Sequence, residues 1–316
     1  MGLTAGSVGR NIHRDRNEES SLPTVALLGN PNVGKSSIFN RLTGLNQHTG
    51  NWTGKTVAVA SGKVKTDKGS FAAVDLPGTY SLRANSPEEE IAGNYLMFED
   101  PRLCLVVCDA TGLGRGLPLV LQTMEMTDRV AVCLNLMDEA ERRGISVDTK
   151  ELSELLGVPV LAVSARDKKS MRGLADKLSE LVEDEHSIRP KYSVEYPDAV
   201  ERAVSAVSEI IVRLYKSMGI KTGERVGVRN VALRLLESDD TLISELEGRY
   251  GGEFARHPML TEALKKSKEL MLSEGVDPGE LGSVISENLA KEASSITRPA
   301  HAYGSRLLSS VLRRLI

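Results

Sequence analysis

Between Pro23 and Glu183, six short apolar runs alternate with stretches of helical periodicity. The runs are TVALLG (24–29), TVAVASGKV (56–64), SFAAVDL (70–76), LCLVVCDA (103–110), RVAVCLNL (129–136) and VPVLAVSA (158–165). Several are apolar throughout, as strands covered on both faces are. Between and after them, SSIFNRLTG, EEEIAGNYLM, LPLVLQTMEM, TKELSELLG and SMRGLADKLSELVEDE carry helical spacing. The alternation predicts a doubly wound α/β domain with a mostly parallel sheet. Only KTDKGS separates the second and third runs, so these two form one antiparallel hairpin within it.

After His186 the pattern changes. IRPKYSVEYP is a connector with two prolines, and strand signals then nearly vanish. Amphipathic stretches follow: AVERAVSAVSEIIVRLYKSM, VRNVALRLLES, DTLISELEGRYG, HPMLTEALKKSKELMLSEG, GELGSVISENLAKEASSIT and YGSRLLSSVLRRLI. In the first, Val200, Val204, Val207, Ile211 and Leu214 fall on one helix face. The expected organisation is a flexible leader (1–21), an α/β domain (22–186) and an all-helical domain (187–316).

Composition narrows the function classes. A formal net charge of -3 and 4% aromatic residues argue against a dedicated nucleic-acid binder. The three cysteines, Cys104, Cys108 and Cys133, sit within apolar runs without CxxC spacing, which predicts buried, reduced thiols in the cytosol and neither disulfides nor a zinc site. The first residues, MGLTAGSVGR, have no apolar core, so no signal peptide is expected, and no stretch reaches the ~18–20 apolar residues that span a bilayer, so the chain as given is expected to be soluble.

Gly29 to Ser36 satisfies GxxxxGK[ST] at every fixed position, between a strand and a helix. Triphosphate oxygens need many N–H donors at close range. Glycines let the backbone approach and adopt positive φ, and the N–H groups at the helix start hold an anionic phosphate. Lys35 is then expected to reach the β- and γ-phosphates, and the Ser36 hydroxyl to bind Mg²⁺. DLPG (75–78) closes the third run: Asp75 can hold Mg²⁺ through a water, and the Gly78 N–H can meet a γ-phosphate, making a switch. NLMD (135–138) closes the fifth run. Asp138 can accept two hydrogen bonds from guanine, at positions where adenine has no donor, so it selects GTP over ATP. Asn135 would tie this loop to the phosphate loop. VSA (163–165) closes the sixth run, where a backbone N–H can contact guanine O6. All these loops lie on the carboxyl edge of the sheet, where ligands bind in such folds.

These residues resemble the TRAFAC class of GTPases, and more closely the cytosolic N-terminal region of FeoB-type ferrous iron transporters. GNPNVGKSSIFNRLTG, QHTGNWTGKTV, DLPGTYSL, NLMDEAERRGI and VPVLAVSAR carry the resemblance across residues 24 to 183. It implies a P-loop GTPase domain followed by a helical domain that tunes GDP affinity, and a membrane transport domain missing from this chain. It also implies GTP/GDP and Mg²⁺ as ligands, a place on the cytoplasmic face of the cell membrane, small accessory iron-transport proteins as partners, and room for oligomers. Carried over position by position, Gly29, Asn30, Pro31, Asn32, Val33, Gly34, Lys35, Ser36 and Ser37 form the phosphate loop. Asn135, Met137, Asp138, Ser164, Ala165 and Arg166 form the base site. Thr56 matches the switch I threonine on Mg²⁺ and γ-phosphate, and Asn32 matches the asparagine that coordinates K⁺ in potassium-stimulated members. Asn32, Lys35, Thr56 and Gly78 are the expected catalytic set. Thr79 stands where Ras-like proteins carry a water-orienting glutamine, so intrinsic hydrolysis is expected to be slow. Thr53 and Lys55 depart from the usual family pattern in switch I.

Two other readings remain at this point: a ribosome-assembly or tRNA-modification GTPase, and a P-loop ATPase. Near-neutral charge and few aromatics weigh against an RNA partner. Trp52 is expected to report on switch I, and His48 to be a solvated loop residue. SPEEE (86–90) reads as a helix cap, and Arg166, Lys168 and Lys169 as a solvated edge.

Overall fold

The computed structural model describes residues 22–44, 47–51, 58–83, 86–184, 194–221 and 227–303. The expected leader, Thr56, Trp52, Thr53, Lys55 and the stretch from Gly304 onward lie outside them.

The first half is built on a seven-stranded sheet ordered β2-β3-β4-β1-β5-β6-β8. Its strands are β1 (Thr24–Gly29), β2 (Gln47–Asn51), β3 (Ala58–Thr66), β4 (Gly69–Asp75), β5 (Leu103–Asp109), β6 (Val130–Asn135) and β8 (Val160–Ala162). β1 pairs in parallel with β4 and β5, and β5, β6 and β8 continue in parallel. The β3–β4 hairpin is antiparallel, as the short KTDKGS spacer predicts. β2 adds an edge strand antiparallel to β3, which the sequence pattern did not reveal. The all-apolar runs are the central strands: Val25 to Leu28, Leu103 to Val106 and Val130 to Leu134 are fully buried.

The helices of this half are α1 (Lys35–Thr43), α2 (Pro87–Phe98), α3 (Leu113–Met126), the short α4 (Met137–Arg142), α5 (Thr149–Leu156) and α6 (Lys168–Glu183). Five match the periodic stretches. α4 is too short to carry a period. Ser86 caps α2 as expected, its hydroxyl accepting the Glu89 N–H at 3.2 Å, with Pro87 in the first turn; such a cap is worth about 1 kcal/mol. The three cysteines are free and wholly buried.

The second half is helical: α7 (Asp198–Ser217), α8 (Val228–Leu236), α9 (Asp240–Tyr250), α10 (Gly252–Ala255), α11 (Pro258–Ser273) and α12 (Leu281–Ala300). α7 is its spine. Val200, Val204, Val207, Ile211 and Leu214 are all at most 2% exposed, each contributing about 1.5–3 kcal/mol of burial before entropy is counted. Tyr215 stacks on Phe254 with ring centroids 5.4 Å apart, and Tyr250 packs on Phe254 at 5.1 Å. No helix among the described residues is long and apolar enough to cross a membrane.

The two halves are joined at several points. α12 packs on α3 and α5. After α12 the chain forms β9 (His301–Tyr303), which pairs antiparallel with β7 (Ile145–Val147).

Candidate nucleotide site

The carboxyl ends of β1, β4, β6 and β8 deliver four loops to one rim of the sheet. β1 ends at Gly29, where the backbone passes so close to β5 that a Cβ would stand 2.7 Å from the Val107 carbonyl oxygen. The loop turns through Asn32 at φ 68° and Gly34 at φ 85° into α1. A Cβ on Gly34 would meet Asn135 Nδ2 at 2.3 Å, so only glycine fits there. As at any helix start, the N–H groups of the first turn of α1 point back toward this loop.

Lys35 is buried, and its Nζ donates to Asp75 Oδ1; the Ser36 hydroxyl donates to Asp75 Oδ2 at 3.0 Å. The ammonium, hydroxyl and carboxylate assigned to phosphate and Mg²⁺ therefore converge. Gly78 rests against Pro31, with a Cβ placed 3.4 Å from Pro31 Cα, and the next N–H, of Thr79, donates to Gly29 O at 3.1 Å. The loop after β4 thus lies directly on the loop after β1.

Asn135 is 1% exposed and binds both sides of the site. Its Nδ2 donates to Val33 O at 2.9 Å, and its Oδ1 accepts the Ala165 N–H at 3.2 Å. Leu136, at φ 63°, turns the chain into α4 and presents Asp138. Asp138 Oδ1 accepts the Ser164 hydroxyl at 2.8 Å. That hydrogen bond, helped by the nearby Arg142 and Arg166 charges, holds the Asp138 carboxyl below its ordinary range, so it is an acceptor-only anion at neutral pH. A cavity of about 830 Å³ opens between these groups, lined among others by Gly34, Ser37, Asn135, Asp138, Ser164 and Arg166.

Residues 23–178 match the family profile of Ferrous iron transport protein B. The chain is 38% identical over 216 residues to the Fe(2+) transport protein A/Fe(2+) transporter FeoB fusion protein of Porphyromonas gingivalis, covering 68% of this chain and 25% of that one. The cytosolic domain of the T. maritima FeoB iron transporter in its GMPPNP form superposes with a TM-score of 0.72 at 30% identity, over 89% of this chain and 100% of that one. This chain belongs to the FeoB family. The GDP form II of the same T. maritima domain gives a TM-score of 0.71, also at 30% identity. The likeness is to the N-terminal GTPase region of FeoB, and the chain spans about a quarter of the length of the P. gingivalis relative.

The structure brings together the residues expected from the FeoB likeness in the phosphate loop, the Asp75–Gly78 loop, and the Asn135–Asp138 and Ser164–Arg166 segments. Thr56 lies outside the described residues. Arg166, Lys168 and Lys169 are exposed. Among the described residues no group of three or more His, Cys, Asp or Glu is arranged to hold a metal ion.

Two further side chains bear on the site and were missed. Gln122 of α3 accepts the Leu82 N–H at 2.7 Å and the Ser81 hydroxyl at 3.3 Å, fixing the loop after Gly78. Arg83 reaches from that loop into the helical half, donating to Glu237 and Gly282 O, and to the Ser286 hydroxyl at 2.9 Å. A lone glutamine in the apolar face of LPLVLQTMEM, and an arginine closing TYSLR, were the available signals.

Proposed function

We propose that this chain is the guanine-nucleotide switch of a bacterial or archaeal ferrous iron uptake transporter. It binds GTP and GDP, hydrolyses GTP to GDP and phosphate, and sits at the cytoplasmic face of the membrane, with transport carried by a membrane domain outside this chain. The observation carrying the reading is Asn135: one buried amide ties the phosphate loop to the base loop, while Asp138 faces the cavity between them. FeoB relatives solved with GDP and GMPPNP support nucleotide binding.

In this reading residues 22–186 form the nucleotide unit and 187–316 a helical unit that slows GDP release. Gly29 to Ser37 cradle the phosphates with backbone N–H groups, and Lys35 supplies charge. Ser36 and Asp75, hard oxygen donors 3.0 Å apart, suit Mg²⁺. Mg²⁺, when bound, neutralises charge on the β- and γ-phosphate oxygens. Thr56 completes that set, and the Gly78 N–H reads the γ-phosphate. Asp138 accepts from the guanine N1 and N2 hydrogens, Ala165 N–H faces O6, and Met137, Ser164 and Arg166 line the base site. The Thr79 hydroxyl donates to Ser81 O at 2.5 Å, so it is committed within its own loop and is no general base, which supports slow turnover. Asn32, exposed on the phosphate loop, is the candidate K⁺ ligand. Small accessory iron-transport proteins and self-association fit the same role.

The test is Asp138→Asn. An amide presents an N–H toward the guanine hydrogens, so GDP binding, followed with a fluorescent analogue, should weaken on the order of a hundredfold or more. Xanthosine diphosphate, whose 2-oxo group can accept that N–H, should gain. Unchanged GDP affinity would overturn the base-reading assignment.

A further inference from the structure

Among the described residues, seven buried side-chain polar atoms have no hydrogen-bond partner. One is Asn30 Oδ1 in the phosphate loop. The others are Arg83 Nε, Asn94 Oδ1, Glu125 Oε1, Arg229 Nε, Asn230 Oδ1 and Arg234 Nη1. All of these belong to the loop after Gly78, α2, α3 or α8, elements that meet where the two halves join. Three are donors and three are acceptors. The sheet side offers one donor and two acceptors, and the helical side two donors and one acceptor. Interiors seldom leave such groups unpaired, and here one opposed pair, Glu125 Oε1 and Arg229 Nε, meets across the seam. The approach is close elsewhere too: a Cβ on Gly227, which caps α8, would stand 3.4 Å from Met126 O of α3.

Glu125 of α3 lies at the centre. Its Oε2 accepts the Tyr196 hydroxyl at 2.8 Å. Its Oε1 forms an ion pair with Arg229 Nε at 3.7 Å, too long for a hydrogen bond. Arg229 is committed elsewhere: both terminal nitrogens donate to Glu201 at 2.8 Å, and Nη2 also to Val194 O at 3.2 Å. The charged and titratable groups facing Glu125 are therefore Tyr196 from the segment before α7, Glu201 from α7 and Arg229 from α8. One guanidinium is thus shared by two carboxylates, hydrogen-bonded to Glu201 and only ion-paired with Glu125, and its charge offsets the burial of Glu125 only in part. Glu125 stands one helical turn beyond Gln122, which holds Ser81 and Leu82, and Arg83 follows directly.

We propose that the charge on Glu125 sets how firmly the helical half grips the sheet half: neutral, the carboxyl lets the seam close, and ionised, it loosens the seam and with it the loop after Gly78. The consequence for nucleotide release rests on the function proposed above; the seam itself does not.

Burial pushes Glu125 up to about 7, against the lowering effects of Tyr196 and Arg229. Burial also raises Glu237, the partner of Arg83 on the helical side. A carboxyl whose value is raised on docking takes up a proton when it docks. Docking is then favoured at low pH, and that advantage is lost as pH rises through about 7. With an ordinary value of 4.5 when the seam is open, the docking equilibrium falls about tenfold between pH 6 and pH 8.

The experiment is hydrogen exchange of the α8 amides in the full chain, corrected for intrinsic rates, at pH 6, 7 and 8. Wild type should lose about tenfold in protection across that range. Glu125→Gln keeps an acceptor for Tyr196 and should stay near the pH 6 level throughout. Tyr196→Phe removes a donor that favours the ionised carboxyl, so its midpoint should move to higher pH. A flat wild-type profile, a Glu125→Gln profile as steep as wild type, or an unmoved Tyr196→Phe midpoint each overturns the proposal. Release of a fluorescent GDP analogue, measured in parallel, should quicken from pH 6 to pH 8 in wild type and stay slow in Glu125→Gln. Absence of GDP binding would refute the nucleotide reading while leaving the exchange result to decide the seam.

Discussion

Asn135→Ala separates a structural from an organising role. The buried side chain makes two hydrogen bonds, 2.9 Å to Val33 O and 3.2 Å from Ala165 N. Each is worth about 0.5–1.5 kcal/mol net, so their loss should cost about 1–3 kcal/mol. The two bonds act in series between the phosphate loop and the Ala165 loop. If the loops come apart, GDP must restore their spacing, and the same cost reappears as a roughly 5- to 150-fold weaker affinity. Asn135→Asp is the informative companion. It keeps an acceptor for the Ala165 N–H but sets a carboxylate against the Val33 carbonyl, so it should bind GDP no better than the alanine variant. Urea denaturation of the unliganded protein gives the stability change, and titration with a fluorescent GDP analogue gives the affinity. A stability loss of the expected size with wild-type GDP affinity would refute the organising role. Neither effect would refute the hydrogen-bond assignment as well.

Two other outcomes follow from the same geometry. GTP turnover should be faster in potassium than in sodium buffer, and Asn32→Ala should abolish the difference; equal rates in both salts for wild type remove the cation-assisted mechanism. Burial pushes Cys104 and Cys108 up to about 12 and Cys133 higher still, so none is a thiolate at neutral pH, and maleimide labelling of the native protein should proceed only at its unfolding rate. Prompt labelling of any one of them would contradict the buried placement.

Much of the first half is legible in the sequence because burial and chemistry agree there. Leu27, Leu105 and Val132 belong to runs apolar on both sides, and the motif residues sit at their ends, so strand position and loop function reinforce each other. Gln47 to Asn51 escaped because QHTGN has no apolar alternation and a single β-branched residue, Thr49; it is a strand only through its pairing with β3. β7 and β9 escaped for a related reason. Three residues carry no period, and Ile145 meets Tyr303 across half the length of the chain. At the site, the gathering of Lys35, Asn135 and Asp138 on one rim was readable because their motifs lie at the carboxyl ends of β1 and β6. Gln122 and Arg83 were not, because what they hold is a neighbouring loop and a second half whose placement no local pattern specifies.

The pairing of β9 with β7 gives the molecule a handle. Ile145 faces Tyr303, and Asp148 N–H bonds Ala300 O at 2.9 Å, so the short antiparallel ladder continues the end of α12 into the segment that follows α4. α4 begins at Met137 and carries Asp138. A pull or tilt arriving at Tyr303 is therefore delivered to the turn that presents Asp138, without first passing through the phosphate loop. Under the function proposed above, motion at Tyr303 reaches the base side of the site before the phosphate side.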